Sequence, residues 1–262
     1  MKPLRYICLA AAAFAVVTLS SCIGENSPTA ENTPAAPVTQ SQANQSSEAT
    51  DVEYMTNMAL MKGHLLVGKE LLDLNEPKQA EPHIGHPVEE IYSDVESQLK
   101  AKNVKEFKTT LGNLEDLVKS KPQDPRVATS FASSMEAVDT AIAAVPEEKR
   151  NQPEFVLAAI DGVLDTAKEE YEAAIANNKF VEDIEYQDSR GFVIYAQEMY
   201  EGIASQMQTA HPEQNEAITS SMSELIKAWP SVIPPSAPVK TPEEVATLVD
   251  TIEKNAQAVI KS

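Results

Sequence analysis

From Asp51 onward apolar residues recur at the three- and four-residue spacing of a single helix face, and no segment sustains the apolar–polar alternation of a half-buried strand. About eight amphipathic helices are predicted, over roughly 52–74, 87–102, 104–119, 125–144, 153–178, 181–208, 213–228 and 242–261. The second shows the quality of the pattern: Val88, Ile91, Tyr92, Val95 and Leu99 make one stripe, and Glu90, Asp94 and Ser97 face away from it. Prolines such as Pro82, Pro87, Pro122, Pro146, Pro153, Pro212 and Pro242 fall at or between the ends, where a missing N–H costs little. Thr241-Pro242-Glu243-Glu244 reads as a capping box opening the last helix. The expected fold is therefore an all-α bundle over residues 51–262, and its helices could stack as two four-helix units joined near 120–126 or 145–153.

The first fifty residues follow other rules. Lys2 and Arg5 precede a mostly apolar run from Ile7 to Leu19, too short to span a bilayer in the ordinary way and shaped like an export leader over residues 1–21. The run ends in Leu19-Ser20-Ser21-Cys22, which resembles the lipobox of bacterial lipoproteins. That resemblance implies cleavage before Cys22, a diacylglycerol on its sulfur, and a domain held to a bacterial membrane in the periplasm or an equivalent extracytoplasmic space. Ile23-Gly24 lacks the aspartate that would favour inner-membrane retention in such lipoproteins. Residues 23–50 are Ser, Thr, Asn, Gln, Pro and Ala with little to bury, so 22–50 reads as a lipidated tether with a reach on the order of 30 Å.

Charge and composition narrow the function classes. Forty acidic groups against 21 basic ones give a formal −19, and loss of Lys2 and Arg5 with the leader makes it −21. A surface of that sign is a poor partner for nucleic acid or anionic headgroups. Eight glycines and 5% aromatic residues argue against an all-β fold. Cys8 leaves with the leader and Cys22 takes the lipid, so no thiol remains for metal or redox work. No phosphate loop, nucleophile elbow or haem-attachment motif occurs, so an enzyme, a hydrolase or oxidase working through histidine and carboxylate, is the less favoured reading.

What remains is a concentration of histidine and glycine. Three of the four histidines, His64, His83 and His86, and three of the eight glycines, Gly63, Gly68 and Gly85, lie within 24 residues. His64 sits on the apolar flank of its helix with Leu60, Val67 and Leu71. Glycine inside a helix costs about 1 kcal/mol relative to alanine, so Gly63 and Gly68 call for a close neighbour. Glu81-Pro82-His83-Ile84-Gly85-His86 reads as a rigid non-helical approach to the second helix, with Glu89 and Glu90 three and four residues past His86. Imidazole with carboxylate suits Fe, Zn, Mn or Cu. The bland alternative makes His86 a helix cap and His64 a hydrogen-bonded core residue.

A second set parallels the first. Glu170 lies on a buried stripe, while Glu185 and Asp188 share faces with Phe192 and Tyr195, and carboxylates there are expensive unless paired or metal-bound. One ligand on a helix and an i, i+3 pair on the next is how helix bundles build metal centres. Arg190 offers the competing explanation, an internal ion pair with Glu170, Glu185 or Asp188. Met55, Met58 and Met61 could serve copper(I) or simply fill the core. His86-Pro87-Val88-Glu89 resembles the His-x-x-Glu motif of imelysin-like periplasmic helical proteins, with Ile84 where that family has glycine; the resemblance implies paired four-helix bundles and an iron association at His86 and Glu89. Two functions are open at this point: a membrane-anchored protein binding Fe, Zn or Cu through His64, His83, His86, Glu89, Glu90, Glu170, Glu185 and Asp188 for uptake or buffering, or a scaffold docking on an envelope or photosynthetic membrane complex.

Overall fold

A computed structural model describes residues 40–262, with side chains from residue 48. The leader, the lipobox with Cys22 and the tether up to residue 39 lie outside the described residues. The described chain is mostly helical, with one short hairpin and a longer non-helical connection over 229–241. The helices are α1 (Gln40–Asp73), α2 (Pro77–His86), α3 (Tyr92–Ala101), α4 (Lys108–Ser120), α5 (Arg126–Ala143), α6 (Glu147–Arg150), α7 (Pro153–Ala173), α8 (Asp183–Ala210), α9 (Pro212–Leu225) and α10 (Pro242–Ile260). No described helix is long and apolar enough to cross a membrane.

Two four-helix groups share one core. In the first, α1 packs on α2 and α5, and α4 lies between α2 and α5; in the second, α7, α8, α9 and α10 pack in sequence, with α10 returning to α7. The groups meet where α1 lies along α7 and α8. Large side chains from both fill the seam, among them Tyr54, Met58, Met61 and Leu65 of α1, Phe155 of α7 and Phe192 of α8. Each contributes about 1.5–3 kcal/mol by leaving water. Met55, Met58 and Met61 are all buried there, which settles them as core. Buried tyrosines add hydrogen bonds between distant parts of the chain: Tyr54 Oη donates to the Ala141 carbonyl of α5 at 2.9 Å, while the bonds from Tyr171 Oη to Lys240 at 2.8 Å and from Tyr186 Oη to Ser231 at 2.7 Å tie down the segment that leads into α10.

Several local expectations change. Helix α1 begins at Gln40, so residues 40–50, expected in the tether, are helical. Helix α7 stops at Ala173, where a hairpin pairs Ile175 with Phe180 and Ala176 with Lys179. Asn177 and Asn178, at φ of 52° and 58°, supply the two left-handed positions of its turn. The largest correction concerns His83 and His86. The segment read as a non-helical approach is helix α2, with Pro82 inside it. At Pro87 the helix continues as a π turn over Pro87–Ile91 and resumes as α3. Pro87 has no N–H to give the carbonyl four residues back, and widening one turn carries the column past it. The capping box is present as expected: Thr241 Oγ1 accepts from the Glu244 N–H at 3.2 Å, and Glu244 Oε2 accepts from the Thr241 N–H at 2.7 Å.

Candidate metal centre

Glycine determines how closely the helices bearing the polar residues approach. A Cβ on Gly63 of α1 would come within 2.6 Å of Phe192 Cδ1, and one on Gly191 of α8 would run into the carbonyl of Gly63. The two backbones therefore cross in direct contact. Gly68, a turn and a half further along α1, faces Ile84 of α2, whose Cγ1 would lie 2.8 Å from an added Cβ. His64, next to Gly63, is thereby brought against Asp188, which precedes Gly191 by one turn of α8. His83 and His86, three apart on α2, face the same point.

Four side chains meet there. His64 Nδ1 lies 2.6 Å and His83 Nδ1 2.7 Å from Asp188 Oδ1, and His86 Nδ1 lies 3.2 Å from Asp188 Oδ2. One ligand-type atom from each of the four falls within 4.8 Å of every other. His64, His83 and Asp188 are buried, and only His86 reaches partly toward solvent, with 14% of its side chain exposed. Its ring stands edge-on to those of His64 and His83, and Phe192 closes the far side of His64. The Nδ1 of His86 is buried without a hydrogen-bond partner, despite its nearness to Asp188. Tetrahedral ligands about 2.0–2.1 Å from a metal stand roughly 3.3 Å apart, so an ion would open the contacts of 2.6 and 2.7 Å by about 0.6–0.7 Å.

Electrostatics follow the geometry. Burial alone would raise the Asp188 carboxyl, but the three imidazoles outweigh it and hold Asp188 well below the usual range. Burial works against charge on His86 as well, yet Asp188, Glu90 and Glu89 together push it up to about 9. Glu170 is half-buried, and burial together with Asp188, Glu185 and Glu90 pushes it up to about 8. Glu185 is raised too, mainly by burial.

The remaining sequence candidates stand around this point. Glu89 and Glu90 are exposed on the π turn, with Glu90 Oε1 4.0 Å from His86 Nε2. Neither they nor Glu170 and Glu185 join the four converging groups. His86 caps nothing, because the helix runs straight through it into the π turn. Arg190 pairs with Glu70 of α1, not with Glu170, Glu185 or Asp188, so the ion-pair explanation for the second set falls away. Trp229 packs edge-on to Tyr171 and donates from Nε1 to Ser189 Oγ at 2.8 Å, bracing α8 beside Asp188. One participant had no mark in the sequence: Gln187, whose Oε1 lies 2.8 Å from His83 Nε2. An amide next to an acid on a helix breaks no pattern, and its partner is 104 residues away.

The second half of the chain is similar to a known family. Residues 146–262 match the model of the iron permease-associated 4-helix bundle domain. That span, which is less than half the chain, holds α7 to α10 and so corresponds to the second four-helix group. The match includes Asp188 and Gln187 and leaves out His64, His83 and His86. No curated protein and no solved structure matches the chain.

Proposed function

We propose that this protein is a transition-metal binder of the cell envelope, tethered to a bacterial membrane through a lipid on Cys22, and that it takes up or buffers the ion at His64, His83, His86 and Asp188. The observation that carries the reading is the meeting of three imidazole nitrogens on one buried carboxylate, contributed by both halves of the fold. Burying four such groups is expensive unless they are paired or coordinate a metal, and a bound cation would meet that expense. Three nitrogens and one oxygen suit Fe(II), Zn(II), Mn(II) or Cu(II). The likeness to an iron permease-associated bundle favours iron as the physiological cargo. Glu89 and Glu90 are exposed on the π turn beside His86, and their charge would gather cations there. The scaffold alternative has no observation of comparable weight behind it.

The test is calorimetric titration of metal-stripped full-length protein with Fe(II), under anaerobic conditions, and with Zn(II). Saturable binding of a single equivalent is expected, lost in Asp188→Asn and in the His64→Ala/His83→Ala pair. Absence of saturable binding in the unaltered protein, or binding indifferent to all three substitutions, would overturn the proposal.

A further inference from the structure

The pair Gln187 and Gln79 bears on how the site is prepared. Gln187 is buried, with 1% of its surface exposed, one residue before Asp188. Its Nε2 donates to Gln79 Oε1 at 3.1 Å, and its Oε1 therefore faces His83 Nε2 at 2.8 Å. A carboxamide has one accepting oxygen, so this placement obliges His83 Nε2 to carry a proton. A neutral imidazole carries only one. Nδ1 is then a bare lone pair 2.7 Å from Asp188 Oδ1, itself an acceptor. Two acceptors at that separation need a cation between them, and either a second ring proton or a metal supplies it.

We infer that Gln187, held by Gln79, is a positioning residue that selects the Nε2–H form of His83 and so presents Nδ1 to a divalent metal. The inference rests on the metal-binding reading above. Fixing the outer nitrogen of a ligating histidine through a hydrogen bond sets both ring orientation and ligand basicity, and losing such a partner typically costs 10–100-fold in metal affinity. Gln79 acts one step further out. Its own Nε2 donates to Glu76 Oε2 at 3.2 Å, which leaves Oε1 to meet the Gln187 amide and keeps that amide from turning over, and its half-buried position at the first turn of α2 places it on the same helix as His83.

Zinc is the probe, with full-length wild type, Gln187→Leu, Gln187→Glu and Gln79→Leu compared by calorimetry and by long-range ¹H–¹⁵N NMR of the histidine rings. In zinc-loaded wild type, His83 should be bound through Nδ1 with its proton on Nε2. Gln187→Leu should bind zinc 10–100-fold more weakly. Gln187→Glu, which keeps an accepting oxygen at the same place, should restore or exceed wild-type affinity, because a carboxylate accepts from His83 Nε2–H more strongly than an amide does. Gln79→Leu should bind more weakly than wild type and more tightly than Gln187→Leu. Should Gln187→Leu fail to fold, the Gln187→Glu affinity and the His83 proton position carry the test. Wild type that binds zinc while Gln187→Leu binds it equally well, or zinc on His83 Nε2, overturns the role of Gln187 and leaves the metal site standing. Wild type that takes up no zinc overturns both.

Discussion

Gly191 has no room for one added methyl group. Its neighbour across the helix crossing is the backbone of Gly63, which cannot swing aside as a side chain can. Gly191→Ala should therefore cost about 1–3 kcal/mol or more by overpacking, and it should weaken metal binding because it pushes Asp188 away from His64. Gly112, inside α4, has nothing within 4 Å of the place an added methyl would take, so Gly112→Ala should raise stability by about 0.5–1 kcal/mol. Urea unfolding of the two variants checks both signs. This contrast also shows what sequence can say at the residue scale. Helical glycine marks a cost, and at Gly63 and Gly68 the cost is explained by a close partner, but Gly112 carries the same mark over open space. The inward turn of His64 was legible because period alone decides it. The part played by Gln187 was not, since only the fold brings it to His83.

Between elements, the packing of α7 on α10 holds a pH dependence. Asp161 accepts from Gln257 Nε2 at 2.9 Å through Oδ2, while Oδ1 is buried without a hydrogen-bond partner. Burial, with Asp165 adding to it, pushes Asp161 up to about 6, and the same two causes push Glu253 of α10 up to about 7. Both acids bind protons more tightly in the folded protein than in the unfolded one. Their contribution is fully present below the unfolded values near 4 and is lost as pH rises through 6 and 7. Asp161→Asn should thus match wild type at pH 3 and exceed it at pH 8, by on the order of 1–2 kcal/mol after allowing for partial exposure. Thermal unfolding at the two pH values decides it, and an equal difference at both would count against the buried acid as the cause. Helix period made most of these elements visible in advance. Pro82 misled because it sits inside α2, and Pro87 because a proline can stay within a helical column when a π turn absorbs the missing donor; Asn177-Asn178 was missed because four residues are too few to show alternation.

At the scale of the whole molecule, the two four-helix groups contribute unequally to one centre, the first with three histidines and the second with Asp188 and Gln187. An ion bound there joins the groups and binds the folded state alone. Stability should rise with free metal as RT ln(1 + [L]/Kd), about 2.7 kcal/mol at one hundred times Kd, and Asp188→Asn should abolish the rise. A scan of melting temperature against Zn(II) concentration measures this. The family likeness covers one side of this cluster: residues 146–262 include Asp188 and Gln187 and none of the three histidines. The central claim is a place in the molecule, and anomalous diffraction from metal-loaded crystals, recorded on either side of the metal edge, tests it most directly. A single strong peak is expected among His64 Nδ1, His83 Nδ1, His86 Nδ1 and Asp188. A peak among surface carboxylates, or none from crystals soaked at saturating metal, would contradict it.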